Sequence, residues 1–380
     1  MNKHHNIIIA GAGGIAQAVG LIMVEWSNVA PTIFIGNRTL SKAQSVVKWI
    51  EKGATNAGTV KAFELNQNEL DEEAKTIFRQ GDILLDCLPG SIAPKMANYA
   101  KKYSLHYANL TEYVDETDQI MDLAKDAETG FILQTGLAPG YINVLAHKMF
   151  QDFCHDFNVD KVDYLGLRVG ALTIHATSPH FYGFTWSPVG VATEYVKDAI
   201  VLRNFKKTTL PSLSQRAQLI INGVTYEEDL TSGGVADLPD ALAGRVRILD
   251  YKTLRHPGHY EWIANQMKNI RNTKDIILTL QQIMEDQIPH VDDDQIIIYA
   301  AVEGKDSSGI LRKREAAKQI FPQLVGKHRL RAIQVTTAVP LIQSAQLLLE
   351  SNLKGVFLQS QIAPDKFLTG SYVKPVYGEV

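Results

Sequence analysis

Through the first 140 residues, short β-branched apolar runs alternate with longer stretches in which apolar residues recur every three or four positions. That rhythm predicts strands joined by amphipathic helices. The apolar runs fall at Asn6–Ala10, Thr32–Gly36, Val60–Glu64, Asp82–Cys87, His106–Asn109 and Phe131–Gln134. The helical stretches fall at Ile15–Glu25, Ser41–Glu51, Glu69–Phe78, Ile92–Lys102 and Asp115–Ala127. Six strands with helical crossovers make repeated βαβ units, so the expected fold is α/β: an N-terminal Rossmann-type domain with a doubly wound parallel sheet.

The rhythm changes at Gly136-Leu137-Ala138-Pro139-Gly140, where the Pro-Gly pair ends the alternation ahead of a helix expected over Tyr141–Phe150. Longer strands without regular crossovers follow, at Lys161–Val169, Arg216–Ile221, Gly244–Leu254 and Gln295–Val302. Helices are expected at Tyr260–Arg271, Thr273–Asp286, Leu311–Phe321 and Ile333–Glu350. This reads as a second, mixed α+β domain. The expected division is 1–140 and 141–334, with a C-terminal helical segment over 335–380. No internal repeat is evident.

Composition narrows the function classes. The 380 residues carry a net charge of −3, with 45% hydrophobic and 21% charged positions, so no basic surface argues for nucleic acid. The two cysteines, Cys87 and Cys154, form neither a disulfide framework nor a metal-ligand spacing. The N-terminus lacks a signal-peptide pattern, and the contiguous apolar runs are shorter than the ~20 residues that cross a bilayer. A soluble cytoplasmic protein is the expectation. Asp292-Asp293-Asp294 lacks the glycine and terminal glutamate of a calcium loop, so no metal is expected.

The strongest chemical signal is a hydrophobic strand entering Gly11-Ala12-Gly13-Gly14-Ile15-Ala16, a G-x-G-x-x-A turn that opens a helix. Gly11 permits the tight turn, Gly13 admits a pyrophosphate close to the backbone, and Ala16 lets the helix pack on the sheet. The first helical residues, Gly14 and Ile15, present backbone N–H groups to the phosphates. A glycine turn that binds no nucleotide is the bland alternative, and the strand–turn–helix context argues against it. At the end of the second strand, where NAD-specific proteins carry a carboxylate, stand Asn37, Arg38 and Thr39. A guanidinium there favours a 2′-phosphate, so NADP is preferred over NAD. Cys87, Leu88 and Pro89 close the fourth strand at the carboxyl edge, where the backbone would touch cofactor. Cys87 has no basic neighbour to activate it as a nucleophile.

Three segments carry a family resemblance over nearly the whole chain. They are Gly136–Gly140 followed by Asn143, Thr185-Trp186-Ser187-Pro188 followed by Tyr195, and Thr253-Leu254-Arg255-His256-Pro257-Gly258-His259. In that order and spacing the chain resembles the saccharopine dehydrogenase and lysine 6-dehydrogenase family. The resemblance implies NADP-linked oxidation of an amino-acid C–N bond, or the reverse imine reduction. It also implies a substrate and dimerisation domain, a homodimer, and a final segment near Val335–Leu353 that returns to the Rossmann domain. Asn109, Pro139 and Gly140 join the cofactor set. The chain departs from many relatives in having Asn109 where they carry Asp and Thr173 where they carry Pro.

An amino-acid substrate needs a cation for its carboxylate, and Arg255 is the leading candidate. His259 is the first candidate general acid or base, with Glu112 and Tyr107 as alternatives. Trp186 and Ser187 are expected as a pocket wall and a polar contact. Two readings stay open beside the leading one: an NAD-dependent lysine 6-dehydrogenase-like or polyamine-linked reductase, and a catalytically silent NADP-binding sensor.

Overall fold

Ile7, Ile8 and Ile9 are all fully buried. Only a strand covered on both faces can bury consecutive residues, so this run lies in the middle of a sheet covered on both sides. The computed structural model describes residues 1–270 and 273–379. Its first part runs β1 (Asn6–Ala10), α1 (Gly14–Trp26), β2 (Thr32–Asn37), α2 (Leu40–Gly53), β3 (Thr59–Glu64), α3 (Glu72–Gln80), β4 (Ile83–Asp86), α4 (Ala93–Lys102), β5 (His106–Asn109), α5 (Val114–Ala124) and β6 (Gly130–Ile132). All six strands pair in parallel. The helix expected from Glu69 starts at Glu72 because the Asp71 carboxylate caps it, accepting from the Ala74 N–H at 2.8 Å.

The second stretch runs α6 (Tyr141–Phe157), β7 (Val162–Thr173), α7 (Pro188–Val196), β8 (Ala199–Arg203), β9 (Lys206–Leu210), β10 (Ala217–Ile221), β11 (Val224–Leu230), α8 (Leu238–Leu242), β12 (Val246–Arg255), α9 (His259–Ile270), α10 (Ile276–Gln287), β13 (Asp294–Lys305) and β14 (Leu311–Ile320). Six strands form the order β10-β11-β12-β7-β13-β14, with β8 added to β12 and β9 to β8. Only β12 and β7 run parallel, so the sheet is mixed. Arg271, the last residue of the helix expected at Tyr260–Arg271, lies outside the described residues.

One expectation fails outright. Leu311–Phe321, read as a helix, is the strand β14, in antiparallel register with β13 from Leu311 opposite Lys305 to Ile320 opposite Ile296. Its Arg, Lys, Glu and Ala residues favour helices, but the ladder offered by β13 outweighs that preference. The correct period is visible in burial: Arg314, Ala316, Lys318 and Ile320 are more covered than the exposed residues between them.

The chain ends with β15 (Gln323–Val325), β16 (His328–Leu330), α11 (Ala332–Leu349), β17 (Gly355–Phe357), α12 (Pro364–Leu368) and α13 (Lys374–Tyr377). β17 adds in parallel to β6 and completes a seven-stranded sheet of order β17-β6-β5-β4-β1-β2-β3. Residues 1–141, 323–330 and 334–379 thus form one compact unit, and 142–322 with 331–333 form the other. Among the described residues α11 alone is long and apolar enough to cross a membrane, and 78% of it is buried in the protein, as expected of a core helix.

Candidate functional site

In the first unit the chemistry gathers at the carboxyl edge of the parallel sheet. Gly11 leaves β1 with φ +117°, and a Cβ there would sit 3.0 Å from the Cys87 carbonyl oxygen. Only glycine satisfies both constraints. The Gly11 N–H donates to Gly36 on β2 at 2.8 Å, and the Cys87 N–H donates to Ala10 at 2.9 Å. The turn is therefore held between β2 and β4, which lie on opposite sides of β1. That is the topological switch point where doubly wound sheets bind dinucleotides.

The residues fit such a cofactor. A Cβ on Gly13 would meet nothing within 4 Å, so the space above the start of α1 is open. The first turn of α1 carries no acidic side chain, and its N–H groups face that space. Gly14 and Ile15 form the start of the helix, and Ala16 is fully buried against the sheet. At the end of β2, Asn37 donates to the Thr39 carbonyl at 3.2 Å, while Arg38 and Thr39 are exposed. The strand end itself carries no carboxylate, and Glu64 on β3 stands in register with Asn37.

Beyond the switch point, polar groups link three neighbouring strands. Asp86, the last residue of β4, is 2% exposed. Its carboxylate accepts from the Leu88 N–H at 3.0 Å and from the Tyr107 hydroxyl at 2.8 Å. Asn109 Nδ2 reaches the Tyr107 oxygen at 3.4 Å, and Asn109 Oδ1 accepts from the Gln134 N–H at 2.8 Å. Gln359 then donates to the Leu133 and Gln134 carbonyls at 2.6 and 2.7 Å. Burial pushes the Asp86 carboxyl up to about 6, although its two donors hold it down.

These contacts bear on two residues singled out in the sequence. Tyr107, an acid/base candidate, is fully buried in the core of the unit, and burial together with the Asp86 carboxylate drives its phenol well above the usual tyrosine range. It is a support for Asp86. The Cys87 thiol is likewise pushed up by burial and by Asp86. Glu112, half-buried in the loop after β5, is the acid/base candidate that remains at this edge. Gly140 is obligatory, because at φ +135° its Cβ would fall 2.0 Å from the Gly136 oxygen. A bridge between Gly136 and Gly140 closes the turn around Pro139, and the Tyr141 N–H bonds the Gly136 oxygen at 2.9 Å. Sequence reasoning missed Asp86; its signal was a lone carboxylate ending the apolar run Ile83-Leu84-Leu85.

In the second unit Arg255 ends β12 and is 1% exposed. Its Nε donates to the Tyr195 hydroxyl at 2.6 Å and its Nη1 to the Leu254 carbonyl at 3.0 Å. The guanidinium lies 4.9 and 5.5 Å from the ring centres of Tyr182 and Tyr195. Nη2 is buried without a hydrogen-bond partner, with Glu194 Oε2 3.8 Å away.

His259 is fully buried and uses both ring nitrogens: Nδ1 lies 2.7 Å from the His180 carbonyl and Nε2 lies 3.0 Å from the Tyr195 hydroxyl. The carbonyl requires Nδ1–H, so Nε2 accepts from Tyr195, which in turn accepts from Arg255. Burial and the Arg255 charge push the imidazole well below its usual range. Both ring nitrogens of this acid/base candidate are thus engaged within the chain, where it orients Tyr195 and, through it, Arg255. Ser187 caps α7, accepting from the Gly190 N–H at 3.4 Å, and Trp186 packs over Gly190, where an added Cβ would strike its ring. Both do structural work that the expectation of a pocket wall and polar contact did not include.

Two family models divide the chain near residue 135. Residues 7–133 match the saccharopine dehydrogenase NADP binding domain, and residues 136–379 match the saccharopine dehydrogenase C-terminal domain. Among curated proteins, the chain is 24% identical over 203 residues to alpha-aminoadipic semialdehyde synthase of Arabidopsis thaliana. That match covers 50% of this chain and only 19% of the plant protein. Saccharopine dehydrogenase (L-Glu forming) of Saccharomyces cerevisiae shares the fold with a TM-score of 0.75 at 15% identity, covering 98% of both chains. Homospermidine synthase of Legionella pneumophila, solved with NAD, gives 0.72 at 12% identity over 100% of this chain and 91% of its own. With models of this family matching residues 7–133 and 136–379, the chain belongs to the saccharopine dehydrogenase family of NADP-binding oxidoreductases, whose members act on CH–NH donors.

Proposed function

We propose that the protein oxidises the C–N bond of an amino-acid-derived amine with NADP and runs the reverse imine reduction with NADPH. The observation that carries this reading is Arg255 Nη2, a buried guanidinium N–H with no hydrogen-bond partner. Glu194, 3.8 Å away, balances the charge without accepting from that N–H, and a substrate carboxylate would accept from it. The bound nicotinamide supplies or receives the hydride. The chain's own residues do the rest: Gly11, Gly13 and the start of α1 take the pyrophosphate, and Asn37, Arg38 and Thr39 take the adenosine end. Arg255 holds the carboxylate in an orientation set by Tyr195 and His259. Glu112 is the candidate for moving the amine proton.

The test is a turnover screen of saccharopine, lysine and polyamines with NADP and NAD. Turnover of a carboxylate-bearing amine with NADP, and a KM raised at least tenfold in Arg255→Ala at unchanged NADPH affinity, is the expected result. Turnover of polyamines alone would replace the carboxylate clamp with the polyamine-linked reading, and binding without any turnover would favour the sensor.

The same reading includes a cytoplasmic homodimer. Both cysteines are free, as a reducing compartment requires, and β14 is an unpaired sheet edge flanked by Leu311 and Phe321, 59% and 51% exposed. Light scattering on the purified protein should give twice the 42.1 kDa chain mass, and cell fractionation should recover it with cytosolic markers.

A further inference from the structure

We propose that Asp86 is a positioning residue for the dinucleotide, fixing the Cys87–Pro89 turn against β5 at the switch point of the sheet. The inference rests on the NADP-binding reading of this edge and adds a residue to it. Asp86 stands beside Ala10 on β1 and Asn109 on β5, so it is next to the residue from which the Gly11 turn departs. One carboxylate oxygen takes the Leu88 N–H, the first free N–H of the turn after the ladder ends. The other takes the Tyr107 hydroxyl, which also lies 3.3 Å from the Ala93 carbonyl at the start of α4. One side chain thereby ties the end of β4, the core of β5 and the beginning of α4 into one piece.

The turn it holds is the one Gly11 packs against, through the Cys87 carbonyl. A shift of Leu88 therefore moves the floor under the pyrophosphate turn. Asp86 is buried and spends both oxygens on donors within the chain, so it acts through the backbone rather than by touching ligand. The groups facing it are the Tyr107 phenol from β5, the Cys87 thiol beside it in the chain and the Leu88 N–H; Ala10 on β1 offers nothing that titrates. Protonation would turn one accepting oxygen into a donor and weaken both anchors. The carboxyl, raised to about 6, makes that change within reach of mild acid.

The test is NADPH affinity, read by nucleotide fluorescence from pH 5 to 8 in wild type, Asp86→Asn and Tyr107→Phe. The 2′-phosphate of NADPH itself titrates near pH 6, so the readout is the ratio of variant to wild-type Kd, in which the ligand's own titration cancels. Asp86→Asn should bind about tenfold more weakly at pH 8, the effect of one charge-assisted hydrogen bond, with the ratio falling toward one at pH 5. Tyr107→Phe keeps the carboxylate but removes a donor that lowers its pKa, so its loss of affinity on acidification should begin at higher pH than in wild type. NADH should give the same ratios, because Asp86 lies across β1 from Arg38. A ratio independent of pH, or tighter binding by Asp86→Asn, would overturn the proposal; the latter would make Asp86 a mere like charge beside the phosphates. Absence of NADPH binding by wild type would overturn the underlying reading as well.

Discussion

Tyr195→Phe removes a single oxygen from the centre of the second unit, and the structure sets the size of the consequence. That oxygen accepts from Arg255 Nε at 2.6 Å and donates to His259 Nε2 at 3.0 Å, and all three residues are at most 2% exposed. The phenyl ring stays, so packing is conserved and only the two hydrogen bonds disappear. Each leaves a buried group stranded: a neutral acceptor costs about 1–3 kcal/mol and a charged donor about 1.5–3 kcal/mol. Both groups are buried, so the two add to about 2.5–6 kcal/mol. For a unit of this size that is a fall of about 5–24 °C in its Tm. Urea unfolding followed by tryptophan fluorescence measures it, since Trp186 and Trp262 report on this unit while Trp26 and Trp49 report on the other. A Tyr195→Phe variant that loses less than about 1 kcal/mol would refute the bridge, and with it the orientation assigned to Arg255. The same variant should raise KM for the amine while leaving NADPH Kd unchanged.

Arg38→Ala should weaken NADPH about three- to tenfold, since an exposed guanidinium is partly screened, and leave NADH unchanged; equal losses for both cofactors would remove Arg38 from 2′-phosphate recognition. Arg168 bonds Glu228 at 2.5 Å and Asp250 at 2.9 Å in the buried sheet of the second unit. Burial pushes both carboxyls up, but the guanidinium beside them outweighs it and holds both below the usual range. Their contribution to stability is thus full above the ordinary carboxylate pKa and drains as pH falls through the lowered values. Arg168→Met should lose about 3–5 kcal/mol at pH 7 and regain part of it near pH 4, the reverse of wild type, in urea midpoints measured at the two pH values. Gly140→Ala should cost at least about 3 kcal/mol, because a Cβ at φ +135° meets the Gly136 oxygen; a variant melting within a degree of wild type would exclude that closed turn.

Strand and helix positions in the parallel sheet were legible because their apolar periods are unmixed, and Gly11–Ala16 announced the phosphate turn through residues that only one geometry requires. The hairpin Ile221-Asn222-Gly223-Val224 was legible too, although unread: Asn222 and Gly223 take φ 51° and 81°, the left-handed pair that joins β10 to β11. Its counterpart between β8 and β9 gave no such notice, since Phe205 adopts φ 67° against ordinary preference and its N–H is held by the Arg247 carbonyl at 3.1 Å. β14 misled because local propensity and tertiary pairing disagree there. Arg255 could be singled out as the candidate clamp from its place in Thr253–His259, but the buried, doubly bonded state of His259 could not, because a histidine's exposure and tautomer are set by residues distant in sequence, here Tyr195 and His180.

The place of β17 bears on how the chain comes into being. A strand near the far end of the sequence closes the edge of a sheet whose other six strands are made first. Roughly 220 residues separate β6 from β17, which at 5–20 residues per second is about 10–45 s of synthesis. Throughout that interval β6 presents an open backbone edge, an invitation to pair with any extended segment nearby. The second unit, almost all of whose residues emerge in that interval, can settle before the first is sealed, and the nascent chain is most exposed to mispairing while the nucleotide-binding half waits for its last strand.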